Sequence, residues 1–549
     1  MWHRDVLFLS LVVIGVAFTG TRLFQAQHLK VDHKPLSQAT KADLRQVADK
    51  VNQEFQKHWT EAKLSPTPRA SNLAIIRRMS LALTGTLPSL EEIRVVENLK
   101  EEKQLSWWIE RLLNDRRFSD YMAERLARSF VGTSDGPFLF YRRRRFVIWL
   151  SDLIEKKTPY NELVRQLISD EGVWTTDPSV NFVTVTATEN TENQPDPIRL
   201  AGRTSRAFLA MRIDCLQCHD DHLGNIQLGT KGNPRMGTQK DFHKLAAFFA
   251  STKTSFLGVR DDKKKQMYRY KFLNKKKKEP VKAETPFLGA LLKSEGTLRE
   301  RLAGWITDKQ NRPFARATVN RIWAIVFGRP LVDPVDNIPL HRPFPPALET
   351  LADDFVAHDY DLRRLIRIIV LSQPFRIDSR ADFEITDDHE QNWAAFRLTR
   401  LRAEQVAGAL IQSCSTKTID ANSHIFDKLS RHFREVEFVK RYGDLGEDEF
   451  EDRGGTITQR LLMMNGELLQ ALTKRDLVGN ASTRIAVLAE GDERAIDTAY
   501  LCVLTRHPSK RELEHFRKRI DRVTGNERSR RLEDLFWVLL NSSEFSWNH

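Results

Sequence analysis

Apolar side chains recur at helical spacing through most of the chain. In residues 73–83 they fall three and four positions apart, and the pattern stops at Thr84-Gly85 and Leu87-Pro88, where a helix is expected to end. Comparable amphipathic stretches occur at residues 299–306, 315–327, 347–356 and 362–371. Only residues 181–188, with the sequence NFVTVTAT, alternate as a strand does. A mainly α chain with one short strand is therefore predicted.

The longest uncharged apolar run, VLFLSLVVIGVAFTG, lies near the N-terminus at residues 6–20. It is shorter than the roughly 20 residues that a membrane-spanning helix needs, and it is close in length to the core of a signal peptide. Residues 1–24 are therefore predicted to be a signal peptide or a retained signal anchor. Both alternatives place the rest of the protein outside the cytoplasm, in the periplasm or cell envelope, either exported or membrane-anchored.

The rest of the chain divides by composition into four parts. Residues 25–68 are polar and compatible with a helical linker, and residues 69–258 form a first helical module. Residues 259–295 are rich in lysine, show little periodicity and are predicted to be an exposed basic linker. A second helical module is predicted over residues 296–549.

Composition narrows the class of protein. Of 549 residues, 41% are hydrophobic and 29% are charged, which excludes wholesale disorder. Only four cysteines occur, too few for a disulfide-stapled scaffold, and two of them, Cys414 and Cys502, lie in apolar helical contexts as expected of buried thiols. The net charge of +13 favours acidic partners such as anionic glycans or a membrane surface. Spread over this length, it does not predict a nucleic-acid partner.

One motif carries recognisable chemistry, the C-x-x-C-H sequence from Cys215 to His219. Two thiols one helical turn apart can form thioethers with the vinyl groups of haem c, while the adjacent imidazole coordinates the iron. We therefore predict covalent attachment through Cys215 and Cys218, with His219 as axial ligand. Such attachment takes place outside the cytoplasm, in agreement with the N-terminal segment. No hydrolase, zinc-protease or dinucleotide-binding signature occurs in the sequence.

Two residues are candidates for a sixth iron ligand. Met236 lies in a loop rich in glycine and proline, and His243 lies farther along the chain. Both are far enough from the motif in sequence to fold over the opposite face of a haem. His222, by contrast, would lie one turn beyond His219 on the same side of a helix.

Three other interpretations of the motif stay open. Cys215, Cys218, His219 and His222 fall on one helical face and offer a zinc-type ligand set, although one straight helix does not easily surround a metal ion. A disulfide can join Cys215 and Cys218. The motif can also lack any bound group.

Two ordered sets of short motifs run through the chain. The first set comprises RRMSLALTGTLP at 77–88, ERLL at 110–113, YNEL at 160–163, CLQCHD at 215–220, TQKDF at 238–242 and AAFF at 246–249. The second comprises FAR at 314–316, VNRIW at 319–323, FGR at 327–329, LVDP at 331–334, DN at 336–337, LADDF at 351–355, MNG at 464–466, LTR at 504–506 and LNSSEF at 540–545.

Through these motifs residues 70–549 resemble the planctomycete-type, cytochrome-c-related extracytoplasmic proteins. Members of that family join two modules known as domains of unknown function 1549 and 1553. The resemblance implies a cytochrome-like first module and leaves the activity of the second open. The chain departs from the family where a second histidine usually follows C-H-D directly. Asp221 intervenes here, His222 is displaced, and an insertion runs through Gly237.

The sequence as a whole predicts a mono-haem redox or electron-transfer component whose redox partner is unknown. The alternative is a cell-envelope binding or scaffold protein that engages anionic glycans, with the Cys/His cluster as a metal site or disulfide. No catalytic hydrolase or transferase set is apparent.

Overall fold

The computed structural model describes residues 36–549, except for positions 134–140, 231, 263–266, 421–422, 424, 444–445, 447–449, 451–454, 475 and 477–479. The predicted signal or anchor segment at residues 1–24 and the lysine run at 263–265 lie outside the described residues. Within the described chain, no helix combines the length and the apolar character needed to cross a bilayer.

Helices dominate the described chain, so the predicted mainly α class is confirmed. Before residue 250 they are α1 (Gln38–Glu61), α2 (Asn72–Thr84), α3 (Leu90–Glu97), α4 (Glu101–Leu113), α5 (Arg116–Val131), α6 (Arg143–Glu155), α7 (Tyr160–Ser169), α8 (Asn181–Thr184), α9 (Pro197–Leu209) and α10 (Gln239–Ala246). The next are α11 (Leu298–Ile306), α12 (Arg312–Phe327), α13 (Pro346–Ala357), α14 (Leu362–Leu371), α15 (Gln373–Arg376), α16 (Asp387–Gln391) and α17 (Ala403–Cys414). The last are α18 (Ile425–Tyr442), α19 (Ile457–Asn465), α20 (Glu467–Thr473), α21 (Ala481–Leu488), α22 (Asp492–Leu504), α23 (Lys510–Ile520), α24 (Gly525–Leu540) and α25 (Ser543–Ser546).

Strands in the described chain form antiparallel pairs of two. They are β1 (Gln227–Thr230) with β2 (Asn233–Met236), β3 (Thr252–Ser255) with β4 (Gly258–Asp261), β5 (Tyr268–Tyr270) with β6 (Glu279–Val281), and β7 (Thr399–Arg400) with β8 (Trp547–Asn548). Short 3-10 helices occur at Pro178–Val180, Glu189–Thr191, Asp214–Gln217, Ala247–Phe249 and Gly289–Leu291.

The predicted strand at residues 181–188 is wrong. The segment begins with helix α8 and continues as a turn. Both its apolar and its polar side chains are buried at 181–184, so the alternation does not mark a sheet with one face in water. The Asn181 amide donates to the carbonyls of Trp174 and Pro178, both at 2.9 Å, and accepts from the Arg142 amide at 2.7 Å. Such local side-chain bonds favour a turn over a strand.

Local sequence explains where α2 and α3 begin and end. The Ser71 hydroxyl caps the first turn of α2, and Gly85 ends this helix with φ of +66°, a left-handed conformation that glycine adopts without strain. Ser89 and Glu92 then form a reciprocal capping box at the start of α3. The stop predicted at Thr84-Gly85 is confirmed.

The hydrophobic core is shared between the two predicted modules. One cluster of buried side chains draws on residues 44–396, and a second joins Leu81 and Leu87 to residues 401–545. The contacts place the described residues from Leu36 to His549 in one compact unit. The helices of the first module therefore complete the core of the second.

Adjacent buried arginines on α2 strengthen this union. Arg77 donates to carbonyls of the C-terminal part of the chain, and Arg78 lies 3.6 Å above the Phe396 ring. Arg78 also donates to three backbone carbonyls, those of Phe375 at 3.0 Å, Ile377 at 2.6 Å and His549 at 2.7 Å. These charge-assisted bonds satisfy backbone carbonyls that are distant in sequence.

The basic segment at residues 259–295 is largely exposed but is attached to the core at several points. Val281 and Phe287 are buried. Asp261, at the end of β4, forms a buried ion pair at 2.9 Å with Arg299 on α11. Strands β5 and β6 fold the lysine-rich sequence back on itself and bring its aromatic residues toward the C-x-x-C-H motif.

Candidate functional site

The C-x-x-C-H motif forms a tight turn on the surface. Helix α9 ends at Leu209, and the chain enters the 3-10 helix Asp214–Gln217, which carries Cys215. The side chains of Cys215, Cys218 and His219 are exposed, while Leu216 between them is fully buried and anchors the turn. Both cysteines are free thiols. The motif therefore presents its reactive groups to solvent from a fixed backbone.

The backbone of this turn is held by the Gln217 carbonyl, which accepts three hydrogen bonds. His243 donates to it through Nε2 at 3.1 Å, Gln239 through its amide at 3.1 Å, and Tyr270 through its hydroxyl at 3.4 Å. The Gln239 amide also donates to the Cys218 carbonyl at 3.1 Å. We call Gln239, His243, Tyr268 and Tyr270 the cradle of the motif.

His243 is the centre of the cradle and is fully buried on α10. Because a carbonyl only accepts, the bond to Gln217 assigns the proton to Nε2, and Nδ1 then accepts from the Tyr268 hydroxyl at 2.9 Å. Its ring stacks on Tyr270 with centroids 3.4 Å apart. Burial lowers the pKa of His243, opposed by the hydrogen bond to Gln217, and the ring stays neutral at pH 7. Both ring nitrogens are thus engaged in protein contacts.

His219 shows the opposite arrangement. Its Nδ1 lies 2.8 Å from the Asp220 carbonyl, so this nitrogen carries the proton and donates. No described residue bonds to Nε2, whose lone pair is left available at the surface. A metal-binding histidine typically donates its second nitrogen to a carbonyl or carboxylate in this way, which fixes the tautomer and raises ligand basicity.

The two aspartates after His219 brace the motif. The Asp220 carboxylate accepts from the backbone N–H of Gln239 at 2.7 Å and so attaches the motif to the first turn of α10. Asp221 is buried, and its carboxylate accepts from the backbone amides of Leu223 at 3.1 Å and Ile226 at 2.7 Å. Its own N–H donates to the Gly237 carbonyl at 2.9 Å. Asp221 therefore attaches the inserted hairpin β1–β2 to the motif.

The structure separates the two candidates for a sixth ligand. Met236 ends β2 with 55% of its surface exposed, next to the Gly237 carbonyl that bonds to Asp221. His243 lies under the motif with both nitrogens bonded. His222 is exposed beside the motif. Across the described residues, no three His, Cys, Asp or Glu side chains assemble as metal ligands, so the set of Cys215, Cys218, His219 and His222 is not gathered around one point.

Exposed apolar side chains lie on the segments that adjoin the motif and its cradle. Leu223 is 85% exposed, Met236 55% and Leu273 73%. The backbone amide of Leu273 contacts the Gln239 side chain at 3.3 Å, which places it next to the cradle. Large exposed apolar groups of this kind can contact an apolar ligand.

The remaining cysteines do not contribute to the site. Cys414 and Cys502 are buried, as predicted, and burial raises the pKa of each thiol to about 12. They are held as unreactive thiols.

The sequence predicted the motif but not its cradle. Tyr268 and Tyr270 lie in the segment predicted to be a linker, and nothing in the spacing of Gln239 indicated that it would contact the motif. A usable signal was present in the aromatic alternation Tyr268-Arg269-Tyr270-Lys271-Phe272, which is typical of a short strand with one buried face.

Comparison with known families matches two parts of the chain. Residues 50–254, which include the motif and α10, match the profile described as PSCyt2, protein of unknown function (DUF1549). Residues 298–424 match the profile described as PSD1, protein of unknown function (DUF1553). The chain matches no curated protein and no solved structure.

Proposed function

Since the chain belongs to the two-module family that joins DUF1549 and DUF1553, we propose that it acts outside the cytoplasm as a mono-haem c-type electron-transfer component. Cys215 and Cys218 would hold haem c through thioether bonds, and His219 would bind its iron. The redox partner is a protein or small molecule that exchanges single electrons with the exposed edge of the motif.

The observation that carries this proposal is the hydrogen bonding of the two neighbouring histidines. His219 donates through Nδ1 and keeps Nε2 unengaged, whereas His243 has both nitrogens engaged. Zinc binding explains the motif less well than haem attachment does, because the four Cys and His side chains do not converge on one point. A disulfide would use the thiols but give no role to the prepared imidazole of His219.

The protein residues have distinct tasks in this function. The cradle fixes the Gln217 carbonyl and so holds the two thiols and His219 in one orientation. Leu223 and Leu273, both exposed, would supply apolar contact to the bound group. Bound haem supplies one-electron redox chemistry. Met236, which is exposed beside the motif, is the better candidate for the sixth ligand than His243.

Absorption spectroscopy and intact mass provide the test. The full chain is co-expressed with a cytochrome c maturation system, exported, and weighed under denaturing conditions. The expected result is a Soret band and a mass increment of one haem. The double variant C215S/C218S is expected to lose both the band and the increment.

His222→Ala serves as the matched control, since His222 is also an exposed histidine but is not used in the proposed attachment. It is expected to keep the increment and the Soret band. A colourless wild-type protein at apoprotein mass would refute haem attachment. Stoichiometric zinc that is lost from both C215S/C218S and H222A would instead establish the metal set.

Replacing Met236 tests the sixth ligand separately. If its thioether binds the iron, Met236→Ala is expected to lower the reduction potential and leave covalent attachment intact, because methionine ligation raises the potential of a haem. An unchanged potential in M236A would exclude the methionine.

A further inference from the structure

A second polar site lies in a cleft of about 360 Å³. Helices α9 and α12 and the loop after α12 form its walls. Within the described chain its lining includes two aspartates, Asp333 and Asp336, and six arginines: Arg203, Arg206, Arg212, Arg321, Arg329 and Arg397. The cleft is therefore strongly cationic, and its charge is concentrated rather than spread over the surface.

The loop that carries one wall is held rigidly. The Asn320 side chain on α12 is fully buried, donates to the Val332 carbonyl at 2.8 Å and accepts from the Val332 amide at 2.9 Å. This reciprocal pair fixes the loop between Arg329 and Asp336 against the helix. The cleft is a prepared feature of the fold.

Arg321, the next residue of α12, is the decisive group. Its side chain is 7% exposed and lines the cleft. Within the described chain it forms no ion pair and no hydrogen bond. An arginine that lines a cleft without an acidic partner leaves its guanidinium available to an anion that enters the cleft.

Arg329 adds a second charge of the same kind. It donates to the Glu390 carbonyl, stacks 4.0 Å above the Trp393 ring, and leaves a buried Nε without a hydrogen-bond partner. Burial and the nearby Arg397 lower its pKa to about 10, so it is still charged at pH 7. Part of the positive charge elsewhere in the cleft is already paired, since Arg212 contacts Asp336 at 2.9 Å.

From this arrangement we infer that the cleft binds a small oxyanion ester, a sugar-sized molecule carrying a sulfate or phosphate group. The guanidinium fork matches these groups through two parallel hydrogen bonds, which Arg321 and Arg329 can supply. A volume of about 360 Å³ accommodates one sugar unit, and Phe450 provides an apolar wall. This activity goes beyond haem attachment and does not depend on it.

Isothermal titration of the exported full chain tests the inference. The probes are glucose 6-sulfate and glucose 6-phosphate, with glucose as the uncharged control. Both esters are expected to bind, and glucose is not. The ester that binds more tightly shows whether the cleft prefers a sulfate or a phosphate group. In Arg321→Gln the affinity is expected to fall by about tenfold or more, the usual loss for one charge-assisted pair.

Two further variants separate binding from folding. Arg206→Gln changes a more exposed lining residue and is expected to weaken binding without unfolding the chain. Arg199→Gln removes one charge from the same helix α9 outside the cleft, and it is expected to bind as the wild type does. Equal weakening in R199Q and R206Q, or no binding of either ester to the wild type, would overturn the inference.

The C215S/C218S variant distinguishes this site from the proposed haem site. It is expected to bind the ester with wild-type affinity even though it carries no haem. Ester binding by C215S/C218S but not by the haem-loaded protein would mean that the haem carboxylates fill the cleft, which would also overturn the inference.

Discussion

Replacing His243 with phenylalanine tests whether this residue holds the motif or binds iron. The change keeps a flat ring on Tyr270 but removes the bonds to Gln217 at 3.1 Å and Tyr268 at 2.9 Å. Each neutral bond contributes about 1 kcal/mol net. The Gln217 carbonyl keeps two donors, while the Tyr268 hydroxyl loses its acceptor. The expected destabilisation of the turn is therefore about 2 kcal/mol.

Native-state hydrogen exchange of the backbone amides measures this change directly. The amides of Leu216 and Cys218 bond within the turn, at 3.0 Å to Ile213 and 3.3 Å to Cys215. A loss of about 2 kcal/mol should raise their opening and exchange rates about 30-fold. The exposed His222 supplies the control, and H222F is expected to leave these rates unchanged.

Exchange at the wild-type rate in H243F would show that His243 does not hold the turn. Loss of the signature of a sixth ligand in an H243F protein that kept covalent haem would show that His243 binds the iron rather than the Gln217 carbonyl.

Two further predictions concern stability. Arg78→Met should lower the free energy of unfolding by about 3–5 kcal/mol, because three carbonyls lose a charged donor. Arg94→Met, at a partly exposed side chain, should lower it by less than about 1 kcal/mol, and urea unfolding measures both changes. Hydrogen bonds from Arg506 lower the pKa of Glu512 to about 2, below its ordinary 4.5. The contribution of ionised Glu512 to the free energy of unfolding is therefore complete above pH 4.5 and is lost as the pH falls toward 2. Glu512→Gln should flatten the pH dependence of unfolding within that window, and an unchanged slope would contradict the assignment.

Local patterns predicted much of the helical structure. The end of α2 at Thr84-Gly85 and the helices near residues 315–327 and 362–371 follow from spacing and stop signals alone. The strand predicted at 181–188 failed because burial on both faces removes the information that alternation normally carries. Its buried Asn181 and Thr186 form local bonds that the pattern does not reveal.

Local patterns likewise predicted only part of the candidate site. Two cysteines and a histidine in C-x-x-C-H spacing are a local chemical pattern, so Cys215, Cys218 and His219 could be named from sequence. His243 was a reasonable candidate ligand by its distance along the chain. Its engagement by Gln217 and Tyr268 depends on how α10 packs against the 3-10 helix and β5, which no local pattern encodes.

The sequence by itself determined the helical class, the order of the two modules and the identity of the thiols and imidazole, because these depend on residues close together in the chain. Only the tertiary structure decided that the modules share one core, that His219 keeps a nitrogen available while His243 does not, and that arginines from residues 203–397 line one cleft. Each of these depends on side chains brought together over long sequence separations. Burial, and the need to satisfy every buried polar group, then assign each side chain its role.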